Sequence, residues 1–130
     1  FDNFKPLNDT RGHLFGDVVL QAVTERITRS VRPSDLVARY GGDEFAVVLV
    51  GVDLPRAEEI AERLREAVAS EPFEVRGERV RLTISVGIAT YPQHGNGPEA
   101  LLQAADEALY VAKRHGGNTV SVAGEGPSSI

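Results

Sequence analysis

Two adjacent carboxylates, Asp43 and Glu44, follow two glycines, Gly41 and Gly42, near the middle of the chain. Short apolar runs flank them, so the pattern predicts a β-hairpin with the acids at its tip. Glycines permit positive φ angles and let a ligand approach the backbone closely. Adjacent carboxylates repel each other unless a cation lies between them, and Mg²⁺ binds oxygen ligands together with phosphates. The turn is therefore either a metal and phosphate site or a solvated acidic loop.

The chain has 130 residues, of which 42% are hydrophobic, and this is enough for one domain with an ordinary core. Its 14 basic and 19 acidic residues give a net charge of −5, which argues against nucleic acid as a partner. There is no cysteine, so disulfides and thiolate metal sites are excluded. No apolar run approaches the roughly 20 residues that span a bilayer, and no signal peptide is visible. We therefore expect a cytoplasmic location, with any membrane tether outside this chain.

The hydrophobic spacing predicts helices and strands in alternation. Helical intervals predict one helix over about residues 17–31, a second that begins after Asp53 as its N-cap, and a third from about Pro98 to the glycines at 116 and 117. Strict alternation predicts a long half-buried strand over residues 80–88, paired with 73–75 across a turn, and a last strand follows at 119–122. Residues 124–130 are predicted to be a flexible, frayed tail. The result is an α+β fold, a mainly antiparallel sheet flanked by helices.

Three further segments make the pattern around the two glycines specific. Residues 1–17 resemble the first signature of the GGDEF family, the diguanylate cyclases, and residues 41–45 spell the name of that family. Residues 32–35 resemble its Arg-x-x-Asp inhibitory site, and residues 105–113 resemble its late helix signature. The four signatures occur in order and at the family's spacings. Residues 1–123 are therefore identified as a GGDEF domain.

The resemblance implies a relative of the polymerase palm and the nucleotide cyclases. The family reaction condenses two GTP molecules into cyclic di-GMP and two pyrophosphates, for bacterial second-messenger signalling. Each 3′-hydroxyl attacks the α-phosphate of the other nucleotide, which implies a homodimer with one GTP in each protomer. Such displacements need charge neutralisation, typically by two metal ions, here Mg²⁺ or Mn²⁺. An upstream sensory or regulatory domain is implied for the full protein.

The same resemblance assigns the metal and catalytic roles. Asp43 matches the family's metal-binding acid in the glycine turn. Glu44 matches the adjacent acid, which either binds metal or helps to deprotonate the attacking hydroxyl. Phe1 would contribute its backbone carbonyl as a metal ligand. Gly41 and Gly42 would bring the backbone close to the substrate.

The substrate contacts follow from the first and last signatures. Lys5 and Lys113 match positions that hold the terminal phosphates, although a lysine near a helix end is more often only a solvated charge. Asn8 and Asp17 match the guanine readers, since Asp accepts from the N1 and N2 donors and an amide serves the other edge. The alternatives are helix capping for Asp17 and a loop hydrogen bond for Asn8. His13 is interpreted as polar packing beneath the substrate loop.

Arg32 and Asp35 match the inhibitory site, at which the family binds its own product away from the active site. A guanidinium can pair bidentately with phosphate or with the Hoogsteen edge of guanine. Arg63 would add a contact from the next helix, though a helix arginine is more often simply solvated. The alternative is that Arg32 only ends a helix and Asp35 caps a turn.

Two departures from the family pattern affect the expected activity. Gly117 stands where the family commonly has a phosphate-binding Arg, and Arg114 is close enough in sequence to compensate in part. Phe1 occupies the middle of the family's Asp-x-Asp, so the first Asp is missing together with the strand that leads into it. We therefore expect residues 1–130 alone to be inactive and poorly folded. The alternative function is a weak or inactive GGDEF domain that acts as a receptor for GTP or cyclic di-GMP; a single-substrate nucleotidyl cyclase fits less well.

Overall fold

The computed structural model describes residues 1–2, 4–39, 43–124 and 126–127, so Gly41 and Gly42 lie outside the described residues. The helices are α1 (Phe4–Arg11), α2 (His13–Arg29), α3 (Leu54–Ala69) and α4 (Pro98–Arg114). The strands are β1 (Leu36–Arg39), β2 (Phe45–Val48), β3 (Phe73–Val75), β4 (Glu78–Val80), β5 (Val86–Ile88), β6 (Val120–Val122) and β7 (Gly126–Pro127). Within these ranges, no helix combines the length and hydropathy that a membrane span requires.

The strands form three small sheets, and most of the pairing is antiparallel. β1 pairs with β2 so that Leu36 faces Val48, which confirms the predicted hairpin. β3 pairs with β4 across Arg76 and Gly77, whose φ angles of 49° and 80° match the two positive values of a type I′ turn. β5 pairs in parallel with β6, and β6 pairs antiparallel with β7. The fold is α+β, as the sequence predicts.

The prediction of one strand over residues 80–88 is wrong. Burial does alternate through Leu82 and Ile84, which are buried while their neighbours are not. The ladder nevertheless stops after β4 and resumes at Val86. In between, the Thr83 carbonyl accepts from the nitrogen of Asp2 at 3.0 Å, which ties this segment to the start of the chain. Side-chain alternation predicts which residues are buried, but a strand also needs a continuous partner for its backbone groups.

The first helical region also differs from the prediction. The periodicity does not predict α1, because Phe4 alone is buried there and no apolar stripe develops. α2 begins at His13, four residues earlier than expected, after Gly12 with φ of 90°. Asp17 therefore lies inside α2, and the alternative that it caps the helix is wrong. Gly12 makes the corner between the two helices, since its φ lies in the region that favours glycine.

The other helix ends agree with the sequence. Asp53 accepts a hydrogen bond from the backbone nitrogen of Arg56 at 3.0 Å, as an N-cap does. α4 begins at Pro98 and ends before Gly116 and Gly117, whose φ angles are 100° and 75°. Past the last helix, β7 occupies part of the segment for which the sequence predicts a frayed tail.

The main core lies between α1, α2, α3 and the β3–β4 hairpin, and the inner face of the β1–β2 hairpin packs against it. A smaller cluster joins α3 to β5 and β6. α4 packs against β5 at Gly87, where an added Cβ would overlap the carbonyl oxygen of Ala105. The main cluster holds the start of the chain and the hairpin together, and α4 joins this scaffold through its packing on β5.

Candidate nucleotide and metal site

The start of the chain lies against the hairpin that carries the two acids. The nitrogen of Phe1 donates to the carbonyl oxygen of Asp43 at 2.8 Å. The ring of Phe1 is buried and packs on Phe45 with ring centroids 4.9 Å apart, and on Phe4 at 6.0 Å. Burial of these rings fixes the backbone of Phe1 beside Asp43 and Glu44. The carbonyl of Phe1 and the acids predicted to bind metal therefore belong to adjacent backbone segments.

A lysine from the far end of the chain reaches the same place. Lys113, in the last turn of α4, has its Nζ 3.5 Å from the carbonyl oxygen of Phe1. The phosphate-binding role predicted for Lys113 thus falls beside the predicted metal ligands. Lys5, in the first turn of α1, is exposed. A contact between residues 112 positions apart in sequence thus brings the first and last signatures to one end of the molecule.

Asp2 holds this corner together, and sequence reasoning did not identify it. Its carboxylate is 9% exposed and accepts three hydrogen bonds of 2.7 Å, from Thr83 Oγ1, Ser85 Oγ and the backbone nitrogen of Asn118. Burial by itself raises the pKa of the Asp2 carboxyl, but these hydrogen bonds outweigh it and hold the pKa below its ordinary value. The sequence signal for this network was the pair of hydroxyl residues, Thr83 and Ser85, which alternate with buried aliphatic residues.

Gly117 belongs to the same network. Its φ is 75°, and an added Cβ would lie 2.9 Å from Cγ of Asp2. A glycine is thus suited both to the backbone conformation and to the space beside the carboxylate. Arg114, expected to replace the missing cation, has its guanidinium 5.8 Å from the ring centroid of Tyr110.

The predicted guanine readers lie on either side of the corner between α1 and α2. Asn8 Nδ2 lies 2.9 Å from His13 Nδ1, and an added Cβ on Gly16 would overlap Asn8 Oδ1. Asp17 follows Gly16 and is exposed. The structure therefore places the amide of Asn8 against Gly16 in the first turn of α2. Asp17, the predicted carboxylate reader, is the next residue in the sequence. Asn8 lies in α1 and its side chain contacts His13 of α2, so its hydrogen bond joins two helices and is not the loop hydrogen bond suggested as the alternative.

The residue types at this corner fit a hard divalent cation. Asp43 and Glu44 are half-buried, and their carboxylates together with the Phe1 carbonyl are oxygen donors of the kind that Mg²⁺ prefers. Among the described residues, no cluster of three acid or histidine side chains forms a complete ligand set. Mg²⁺ usually completes its shell with water and substrate phosphates, so a partial protein set suits a nucleotide-linked ion.

The predicted inhibitory residues are joined to each other. The Arg32 guanidinium donates to Asp35 Oδ1 at 2.8 Å and to Oδ2 at 3.1 Å, and also to the Val50 carbonyl at 2.9 Å. The Asp35 side chain is only 1% exposed, and its hydrogen bond with Arg32 lowers its pKa to about 2. Arg63 is exposed on α3, and within the described part of the chain no hydrogen bond or ion pair links it to either residue. Its contribution stays a prediction.

Comparison with known proteins gives the same family. Residues 1–119 match the family described as diguanylate cyclase, GGDEF domain. The diguanylate cyclase DgcP of Pseudomonas aeruginosa is 42% identical over 122 residues, which are 94% of this chain and 18% of that protein. Among solved structures, the GGDEF domain of PA1120 (YfiN or TpbB) from Pseudomonas aeruginosa superposes with a TM-score of 0.89 at 42% identity, covering 94% of this chain and 76% of that one. The GGDEF domain of DgcB from Caulobacter crescentus, in complex with c-di-GMP, gives 0.82 at 35% identity, covering 94% and 72%.

The chain belongs to the GGDEF domain family of diguanylate cyclases. It spans 18% to 33% of the length of the curated relatives that it matches, such as DgcP and diguanylate cyclase A of Treponema denticola. Family membership and fold are therefore established for this segment of the relatives' length. The family match confirms the family that the four signatures predict.

Proposed function

We propose that the protein is a diguanylate cyclase that condenses two GTP molecules into cyclic di-GMP and two pyrophosphates. The observation that supports this most is the corner at which Phe1 meets both Asp43 and Lys113, at 2.8 and 3.5 Å. The backbone segment that carries the proposed metal-binding carboxylates and the proposed phosphate-binding lysine thereby both lie beside Phe1. The family match over residues 1–119 supports the choice of reaction.

In this proposal the carboxylates of Asp43 and Glu44 and the carbonyl of Phe1 hold Mg²⁺ or Mn²⁺, two ions in each active site. Such an ion supplies neutralisation of the negative charge on the reacting phosphates. Glu44 also accepts the proton of the attacking 3′-hydroxyl in this proposal. That oxygen forms a bond to the α-phosphorus of the other GTP, the bond from this phosphorus to the β-phosphate oxygen breaks, and pyrophosphate leaves.

The remaining residues bind and orient the nucleotide. Lys5 and Lys113 hold the terminal phosphates as point charges. Asp17 accepts from the N1 and N2 donors of guanine, and the Asn8 amide serves its other edge, so adenine is rejected. Each protomer holds one GTP, and two protomers meet face to face to bring each hydroxyl to the opposite α-phosphate.

Regulation and context are proposed from the resemblance. Cyclic di-GMP binds at Arg32 and Asp35, with Arg63 as a further contact, and inhibits the enzyme. The GGDEF domain of DgcB, which was solved in complex with c-di-GMP, supports product binding by this type of domain. The reaction takes place in the cytoplasm, under the control of an upstream sensory or regulatory domain.

The test is product analysis of the full-length protein incubated with GTP or ATP and Mg²⁺. We expect one cyclic di-GMP for every two pyrophosphates from GTP, no product from ATP, and a rate per protein that rises with protein concentration. Binding of GTP or cyclic di-GMP without turnover would instead identify a receptor. A cyclic mononucleotide as product would identify a single-substrate cyclase.

A further inference from the structure

The histidine at the corner between α1 and α2 contacts a predicted guanine reader directly. His13 Nδ1 lies 2.9 Å from Nδ2 of Asn8, and the two residues are brought together by Gly12. The nitrogen of Gly12 donates to the Asn8 carbonyl at 2.8 Å, and its carbonyl accepts from the nitrogen of Gly16 at 3.1 Å. The last turn of α1 and the first turn of α2 are therefore bonded into one corner, which sets where both side chains lie.

The chemistry of the contact fixes the direction of the hydrogen bond. With Nδ2 of Asn8 facing the ring, the amide nitrogen donates and Nδ1 of His13 is the acceptor. Apolar or donor-only groups in place of this nitrogen would leave the Asn8 amide without its partner. His13 is thereby the acceptor partner of the Asn8 amide nitrogen.

The oxygen of the Asn8 amide also has a neighbour, the backbone of α2 at Gly16. Asn8 Oδ1 occupies the space that a Cβ on Gly16 would take. Because residue 16 is a glycine, the amide oxygen can pack against the backbone of α2, one residue before Asp17. His13 contacts the nitrogen of the Asn8 amide and the backbone at Gly16 contacts its oxygen, so one orientation of the amide is favoured.

We propose that His13 is a positioning residue for guanine recognition, acting through Asn8. This rests on the proposed function, because Asn8 and Asp17 are assigned as guanine readers there. A fixed amide presents one donor and acceptor pattern to the base, and Asp17 presents a carboxylate that can only accept. Since the amide orientation is set before GTP binds, the ligand does not have to order it.

The test is a double-mutant cycle on the full-length protein, with the KM for GTP and kcat measured for each variant. His13→Leu removes the acceptor at similar size, and we expect it to raise the KM for GTP about tenfold, the loss of one hydrogen bond, with a smaller change in kcat. Asn8→Ala should raise the KM at least as much. The double variant should resemble Asn8→Ala alone, because the imidazole has no remaining role once the amide is absent.

His13→Asn is the rescue variant, because its Oδ1 can accept from Asn8 as the imidazole nitrogen does. We expect it to restore a KM close to that of the parent, and thermal melts of all variants should show that each is folded. An unchanged KM in His13→Leu, or multiplication of the two single effects in the double variant, would overturn the positioning role. A parent that neither binds nor converts GTP would instead overturn the proposed function and this inference with it.

Discussion

The predicted catalytic corner and the predicted inhibitory site are built in opposite ways. The inhibitory pair, Arg32 and Asp35, lies within four consecutive residues, and one carbonyl from Val50 completes it. The catalytic corner joins residues at three separate places in the chain, with Phe1 bonded to Asp43 and close to Lys113. One site is thus local, and the other exists only when distant segments pack together.

This difference also determines what supports each site. In the local site the charges neutralise each other, and the bidentate geometry orders the Arg32 guanidinium before any ligand binds. In the distant site, the order comes from Asp2, which ties Thr83, Ser85 and Asn118 to the start of the chain. Changes at the distant site should therefore affect both folding and turnover, while changes at the local site should leave turnover nearly unchanged.

The largest effect is expected at the acids of the hairpin. Asp43→Ala or Glu44→Ala should lower kcat by about a hundredfold or more, because each removes charge placed against the reacting phosphates. Cyclic di-GMP formation by the full-length protein is the measurement. The double variant Glu58→Ala/Glu59→Ala removes two adjacent acids from α3 and is the charge-matched control for the variant that lacks both Asp43 and Glu44. Parent-like activity in a variant that lacks both Asp43 and Glu44 would disprove their assignment.

A second large effect is expected from Asp2. Asp2→Ala should lower the free energy of unfolding by about 3 kcal/mol, since it removes a buried charged acceptor of three hydrogen bonds. Urea unfolding at neutral pH measures this value, and a GTP turnover assay should show loss of activity as the corner opens. A change of well under 1 kcal/mol would show that the network does not support the corner.

The pH dependence of the same network has a defined sign. The Asp2 pKa is lower in the folded protein than its ordinary value of 3.8, so the folded state prefers the ionised form. Its contribution to stability is present above pH 3.8 and is lost as the pH falls through the lower folded value. Asp2→Asn keeps the shape without the charge, and the difference in unfolding free energy between parent and Asp2→Asn should shrink below pH 3.8.

The smallest effect is expected at the local site. Arg32→Ala should weaken cyclic di-GMP binding about tenfold or more, because it removes a bidentate cation, and it should relieve product inhibition while leaving the initial velocity nearly unchanged. Calorimetry with cyclic di-GMP and full progress curves measure the two quantities. Arg29→Ala, which changes an exposed arginine at the end of α2, is the control. Equal product affinity in parent and Arg32→Ala would remove the inhibitory role.

Much of the fold followed from short-range patterns. The hairpin, the Asp53 cap, the turn at Arg76 and Gly77 and the glycine end of α4 each depend on a few neighbouring residues. α1 did not follow, since a helix with one buried residue leaves no periodic signal. The strand over residues 80–88 was overpredicted, because alternation reports burial and carries no information on backbone partners.

By itself, the sequence determined the family, the α+β class and the residue types available for chemistry, because the signatures are local and their order is read directly along the chain. Only the tertiary structure decided which of those residues meet. Burial of the Phe1 ring against Phe45 brings the first residue to Asp43, and the hydrogen bonds of Asp2 bring the end of α4 to both. These contacts join positions more than 40 residues apart, and they form because apolar rings and a buried carboxylate must find partners in the folded core.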